Sequence, residues 1–396
     1  MNSRSHFDIL CFVGIMLLAL NLRAPFTSFA PLVDQLMNGL NLSSSLIGIV
    51  TALPLVMFAL FSPLCPRLIS KIGLEKVLCL ALMLIFSGVL IRSSGSVIGL
   101  YLGTASIGIG IAFGNVSLPV VVKLSFAARI GVMTSLYTLT MGIGATASSA
   151  LMVPLSYLAF WGFEGWQIAL MFNLVFPILA FTYWGPKVGQ SRTSVMKKTH
   201  AHYPLPKLIK QPMAWFITLV LGLNSFTFYT LAGWIPKILI DWSYSELQAG
   251  YIYSLLQFST IMPGLVLAPL MARGVSSFIL IKIAACMSFT GVLGLVLAPH
   301  FAVAWVVLFG FGNCATFIVA LSFISLRTHS PGQAATLSGM AQSVGYALAA
   351  VGPSLIGSLH QATSSWHIPI ALVAFFAFMC FVFAWLTTLD IELKAN

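Results

Sequence analysis

DILCFVGIMLLALNLRAPFTSFAPL, residues 8–32, is an apolar run long enough to cross the hydrocarbon core of a bilayer, which takes about 20 apolar residues in a helix. Arg4 precedes it, as in a secretory signal. The run continues past residue 30 without a cleavage site, which predicts a retained helix. Of the 396 residues, 59% are hydrophobic and 7% are charged, whereas soluble domains are about half apolar and a quarter charged. The composition therefore predicts an all-α polytopic membrane protein.

Apolar runs of similar length recur along nearly the whole chain, and twelve transmembrane helices account for them. The predicted spans are 8–32, 44–65, 76–94, 97–122, 130–159, 166–185, 212–236, 247–271, 276–298, 302–326, 333–358 and 367–388.

Basic residues lie mostly on one side of these spans. Of the 19 Lys and Arg residues, Arg92 and Lys237 are predicted outside, Arg23 within the membrane, and the others at the cytoplasmic side. By the positive-inside rule this places both termini in the cytoplasm. The net charge of +11 therefore indicates membrane topology, and no nucleic-acid partner is expected.

The chain divides into two halves that are predicted to be copies of one six-helix unit. A basic, proline-containing linker, 186–211, separates a six-helix bundle over 1–185 from a second over 212–396. Three pairs of segments align at an offset of about 202 residues, around Gly48 and Gly250, Gly110 and Gly312, and Gly142 and Gly345. This pseudo-symmetry is typical of secondary transporters, whose halves rock about a midplane cavity. Small residues such as Gly108, Gly110 and Gly114 predict close helix packing.

Polar side chains at mid-span depth are few, and the substrate-binding groups are expected among them. They are Arg23, Asn115, Tyr137, Asn224, Tyr229, Gln257, Gln342 and Tyr346. Arg23 lies about 15 residues into its helix, roughly 22 Å from the cytoplasmic end and too far to snorkel. Its planar fork of donors suits an anion or a polar acceptor. The alternative for Arg23 is a structural cation paired with backbone carbonyls or a helix C-terminus, and for the others it is hydrogen bonding between helices.

Pro25 and Pro31 flank the outer half of the first span, where they break or bend the helix and free carbonyls near Arg23. A kink that serves packing alone is the alternative. No Asp, Glu or His falls at mid-span depth, so neither an acidic proton relay nor a catalytic set is expected there. Asp34, near the outer mouth, is the one candidate for a proton carrier. No cofactor or metal site is expected, since the six cysteines include no CxxC pair.

Three motifs carry a resemblance to a known family: NLRAPFTSFAPL (21–32), GWIPKILIDWSYSELQAG (233–250) and LSGMAQSVGYALAAVGPSLIG (337–357). They resemble the cyanate and 2-nitroimidazole transporter family of the major facilitator superfamily, and the likeness is closer to the 2-nitroimidazole branch. The resemblance implies a fold of twelve helices in two bundles, in a bacterial inner membrane. The superfamily's loop signature after the second helix is degenerate here, with Lys71 and Gly73 kept but Ser70 in the place of the Asp.

The predicted function is secondary active transport of a small polar or anionic solute by alternating access, with export favoured over import. The solute would be a nitroimidazole-like compound or a cyanate-like anion, and the protein a monomer in the lipid bilayer. A broad-specificity exporter of hydrophobic drugs is an alternative in which Arg23 contributes little. An intramembrane lipid-modifying enzyme is the alternative from another class, and it would need a nucleophile and a base within reach at one depth.

Overall fold

The computed structural model describes residues 2–42, 44–158, 162–188, 203–389 and 393. These residues form helices joined by short turns, with no strand among them, so the all-α prediction is confirmed. The helices before residue 189 are α1 (Asn2–Asn21), α2 (Ala24–Thr27), α3 (Val33–Leu40), α4 (Ser44–Phe61), α5 (Cys65–Ile72), α6 (Leu74–Arg92), α7 (Val97–Ser125), α8 (Ile130–Ser156), α9 (Gly165–Met171) and α10 (Val175–Trp184). The helices after residue 202 are α11 (Leu205–Leu208), α12 (Pro212–Asp241), α13 (Glu246–Ser259), α14 (Met262–Ala272), α15 (Ser277–Leu297), α16 (Ala302–Leu326), α17 (Pro331–Thr363) and α18 (His367–Leu386).

Eleven helical stretches within the described ranges are long and apolar enough to cross a membrane. Each overlaps one of the predicted spans. The remaining predicted span, 333–358, falls inside α17, whose 33 residues reach about 50 Å at 1.5 Å per residue. α17 is less apolar because it carries buried amides such as Gln333 and Gln342. Its length therefore suffices for a span although its composition alone would not reveal one.

The chain divides into two compact units according to its internal contacts. Unit 1 comprises Met1–Ala127, Thr140–Tyr203 and Ser330–Gly339, and unit 2 comprises Ala128–Leu139, Pro204–His329 and Met340–Asn396. The domain boundaries predicted at 185/186 and 211/212 stay a prediction. Within the predicted linker, residues 189–202 lie outside the described residues.

Each unit has its own apolar core and its own tightly packed helix pair. In unit 1, α6 and α7 touch through Gly110, where a methyl group would lie 2.6 Å from the carbonyl oxygen of Ala81. In unit 2, α15 and α16 touch through Gly312, where a methyl group would lie 2.4 Å from the backbone nitrogen of Ser288. Small residues allow membrane helices to approach this closely. The close packing predicted at Gly110 is confirmed, and its repeat partner Gly312 packs in the same way.

Candidate functional site

The first membrane helix is broken next to Arg23. α1 ends at Asn21 and α2 begins at Ala24, with Arg23 in a non-helical conformation (φ −131°, ψ −37°) as the N-cap of α2. Pro25 has no N–H to donate to the carbonyl of Asn21, so the helical ladder cannot continue across this point. The break that the prolines predicted is present. The Asn21 side chain anchors the end of α1 by donating to the carbonyl oxygen of Phe176 in α10 at 3.0 Å.

The Arg23 side chain is half-buried in a stretch suited to spanning the membrane. Its guanidinium forms no hydrogen bond and no ion pair with any residue that the structure describes. The structural alternative, in which backbone carbonyls or a helix C-terminus neutralise Arg23, therefore finds no support among those residues. The side chain of Asp34, the candidate proton carrier, lies outside the described residues.

Arg92, at the end of α6, has the structural role that sequence reasoning considered for Arg23. It is 2% exposed and is the last residue of a stretch suited to spanning the membrane; its predicted place at the outer side of the membrane stays a prediction. Its Nη1 donates to the carbonyl oxygen of Pro25 at 2.8 Å, and its Nη2 donates to Ser28 Oγ at 3.3 Å. The sequence missed this role because Arg92 closes an apolar run, where an arginine usually extends towards water.

Asn115, on α7, is the other predicted site residue close to the break. A methyl group on Gly114 would lie 2.3 Å from Leu22 Cδ2, so the residue before Asn115 touches the residue before Arg23. Asn115 is half-buried, and its amide forms no hydrogen bond with any described residue. Unit 1 thus brings the neighbourhoods of Arg23 and Asn115 together, with both side chains available to a ligand.

Asn224 lies in unit 2 and takes part in a hydrogen-bond network between α12 and α16. Its Nδ2 donates to Asn313 Oδ1 at 3.2 Å, while Asn313 Nδ2 donates to the Asn224 carbonyl at 3.0 Å and to Thr227 Oγ1 at 3.2 Å. This is the helix-to-helix bonding that the sequence left open for Asn224. Sequence reasoning missed Asn313, because the glycines around it indicated only close packing.

The remaining predicted residues of unit 2 differ in their surroundings. The rings of Tyr229 and Tyr346 face each other across α12 and α17 with centroids 6.5 Å apart. Gln342, one turn before Tyr346, is 5% exposed and its amide bonds to no described residue. Gln257 is exposed and donates to Tyr253 Oη at 2.9 Å, whereas Tyr137 is buried. Unit 2 therefore brings Tyr229, Tyr346 and Gln342 close together on two helices.

No group of three or more His, Cys, Asp or Glu residues capable of holding a metal ion occurs in the part of the chain that the structure describes. The candidate side chains of the site, which are Arg23, Asn115, Gln342, Tyr229 and Tyr346, supply a guanidinium, amides and phenols. These groups donate and accept hydrogen bonds, and aromatic rings beside them can cover a flat solute. This chemistry suits reversible binding of a small solute.

Comparison with known proteins identifies the family. The model of the major facilitator superfamily matches residues 11–350. The chain belongs to the major facilitator superfamily. A 2-nitroimidazole transporter of Escherichia coli strain K12 is 42% identical over 392 residues, covering 98% of this chain and 97% of that protein. A cyanate transport protein of the same strain is 24% identical over 354 residues, covering 89% of this chain and 90% of that protein.

Solved structures agree with this membership. A proton:xylose symporter of the superfamily superposes with a TM-score of 0.77 over 96% of each chain, at 13% sequence identity. That likeness shows the fold. The sequence prediction of the family, and of greater similarity to the 2-nitroimidazole branch than to the cyanate branch, is confirmed. The chain is a multi-pass membrane transporter for a small-molecule substrate, and it is not an enzyme.

Proposed function

We propose that this major facilitator carries a small polar or anionic solute across the bacterial inner membrane by alternating access, with Arg23 as the principal donor to the solute. The observation that supports this most is the guanidinium of Arg23, which has no partner among the described residues although it lies in a membrane-spanning stretch. A cation at that depth costs at least about 2.5 kcal/mol. A solute that accepts hydrogen bonds from it offsets part of that cost.

The shape of the guanidinium narrows the solute class. Arginine presents parallel N–H donors that match two oxygens in one plane, as in a nitro group or a carboxylate. The relative at 42% identity bears the name of a 2-nitroimidazole transporter, and the more distant one that of a cyanate transporter. A nitroimidazole-like compound is therefore the proposed substrate, with a cyanate-like anion as the second choice.

Further polar side chains are proposed to donate hydrogen bonds to the solute or to accept them from it. In unit 1 Asn115 stands beside the break, and in unit 2 Gln342, Tyr229 and Tyr346 lie close together. The free amides of Asn115 and Gln342 suit ring nitrogens or nitro oxygens. Asn224, Gln257 and Tyr137 complete the proposed set, although Asn224 and Gln257 already bond to protein groups.

The test measures binding of 2-nitroimidazole and of cyanate to the purified protein by calorimetry. Arg23→Ala removes a charge-assisted bond of about 1.5–3 kcal/mol, which weakens binding roughly 10- to 150-fold at 1.4 kcal/mol per tenfold. Arg23→Lys weakens it nearly as much, because an ammonium lacks the fork. Arg129→Ala is the matched control, since Arg129 is exposed and outside the proposed set. Binding at the original affinity in both Arg23 variants refutes the assignment and favours the hydrophobic-drug exporter.

The direction of transport and the orientation of the protein in the membrane need separate measurements. We infer export, with both termini in the cytoplasm, from the distribution of basic residues and from the resemblance. Labelled 2-nitroimidazole added to inverted membrane vesicles should accumulate inside them and should not accumulate in right-side-out vesicles. Accumulation only in the right-side-out vesicles establishes import. The proposed monomer is tested by the mass of the purified protein in detergent.

A further inference from the structure

Arg92 is a buried arginine, and the proposed binding of the solute by Arg23 gives it no role. No carboxylate within the described residues pairs with it, and its Nε has no hydrogen-bond partner there. A buried charge without a counter-ion costs several kcal/mol, and a well-packed apolar side chain of similar volume often serves stability equally well. Stability alone therefore gives no reason for an arginine at this position.

The side chain of Arg92 forms its hydrogen bonds with one short segment beside the break. Both of its contacts are to the α2 segment, Pro25 O at 2.8 Å and Ser28 Oγ at 3.3 Å, and Ser28 Oγ itself donates to Pro25 O at 3.0 Å. Pro25 and Ser28 lie at the two ends of the short helix that Arg23 caps. A cation also suits the partial negative charge of a backbone carbonyl oxygen.

The backbone of Arg92 is itself immobilised. A methyl group on Gly103 of α7 would lie 2.3 Å from the Arg92 nitrogen, so the two helices touch at this residue. The next residue, Ser93, accepts a hydrogen bond from Gln167 Nε2 at 2.9 Å. Arg92 thus connects the close-packed pair of α6 and α7 to the α2 side of the broken helix, while Asn21 anchors the opposite side of the break.

We infer that Arg92 is a positioning residue, which fixes α2 so that the Arg23 side chain keeps the orientation in which it binds the solute. The inference rests on the proposed function of Arg23. Arg23 has non-helical backbone angles, and its carbonyl accepts the N–H groups of Phe26 at 3.1 Å and Thr27 at 3.0 Å. The direction of its side chain therefore follows the placement of α2, and α2 is placed by Arg92.

A double-mutant cycle tests this, with the affinity for 2-nitroimidazole and the melting temperature measured on every variant. Arg92→Met is expected to weaken binding about tenfold, a coupling typical of residues in one network. In an Arg23→Ala background the same change should have no further effect on affinity, because there is no side chain left to position. Arg92→Lys, which keeps one of the two bonds, should recover part of the affinity.

Ser106→Ala is the matched control, because it breaks another bond between α6 and α7, from Ser106 Oγ to the carbonyl oxygen of Leu84 at 2.8 Å, without touching α2. It should lower the melting temperature and leave the affinity unchanged. Should Arg92→Met fail to fold, Ser28→Ala takes its place in the cycle with an expected loss of about threefold.

The outcomes separate the two claims. If Arg23→Ala binds as tightly as the original protein, the proposed function fails. If Arg23→Ala loses affinity but the Arg92 or Ser28 change leaves it intact, or lowers it equally in both backgrounds, then Arg23 binds the solute and Arg92 is merely structural. If the Arg92 or Ser28 change lowers the affinity only when Arg23 is present, the result supports the positioning role.

Discussion

Replacing Asn313 by Leu should destabilise unit 2 more than the loss of its own hydrogen bonds suggests. Asn313 is 3% exposed, and its amide exchanges bonds with Asn224 and donates to Thr227 Oγ1. Leu has the same number of side-chain heavy atoms as Asn, branched in the same way, and leaves little cavity. It does leave the Nδ2 of Asn224 without an acceptor, and Asn224 is only 2% exposed.

The expected magnitude follows from those contacts. A hydrogen bond between membrane helices contributes about 0.6 kcal/mol on average, with a maximum near 1.7. A buried donor deprived of its partner costs about 1–3 kcal/mol. Asn313→Leu should therefore destabilise the protein by about 2–4 kcal/mol. The double variant Asn224→Leu with Asn313→Leu should lose less than either single variant, since replacing both partners by apolar groups of similar shape is nearly neutral.

Thermal unfolding in one detergent, with and without 2-nitroimidazole, measures the stability of each variant and its stabilisation by the ligand. Melting temperatures that fall additively in the double variant refute the pairing of the two amides. The ligand arm addresses the predicted role of Asn224 in binding. If Asn224→Leu removes the stabilisation by 2-nitroimidazole while Asn313→Leu preserves it, Asn224 contacts the solute in addition to Asn313.

Two further predictions concern stability in unit 2. Gly312→Ala should cost about 1–3 kcal/mol, because the new methyl group would lie 2.4 Å from the backbone nitrogen of Ser288; Gly185→Ala, which meets no atom within 4 Å, is its control, and an equal change in melting temperature for both contradicts the prediction. Trp366→Phe should cost about 0.5–1.5 kcal/mol, because it removes the donor to Asp241 Oδ2 at 2.8 Å. The bond contributes nothing if Trp366→Phe destabilises equally in an Asp241→Ala background.

The membrane makes much of this fold predictable. In a bilayer each backbone polar group must find its partner within the segment, so an apolar run of sufficient length has one main solution, the helix. The predicted span 302–326 coincides with α16 (Ala302–Leu326) for this reason. α17 extends beyond its predicted span to Pro331–Thr363, because the helical hydrogen bonds continue through residues such as His360 and Thr363, which hydropathy counts as polar.

The candidate site was less predictable, because it depends on which side chains meet. Asn313 follows Gly312 and precedes Cys314, so along the chain it looks like part of a packing surface. Only the contact with Asn224 reveals its polar role. Arg92 is a similar case, since a helix-terminal arginine in sequence carries no sign that its side chain folds back onto Pro25.

Arg23 and Arg92 show why residue type and depth do not decide function here. Both lie in membrane-spanning stretches of unit 1, and both are near the break in the first helix. Arg92 Nη1 and Nη2 donate to Pro25 O and Ser28 Oγ, so these two nitrogens are already bonded within the protein. Arg23 finds no partner among the described residues. Since an unpartnered guanidinium in a membrane-spanning stretch is costly, we propose that the solute binds Arg23 and that Arg92 keeps Arg23 in place.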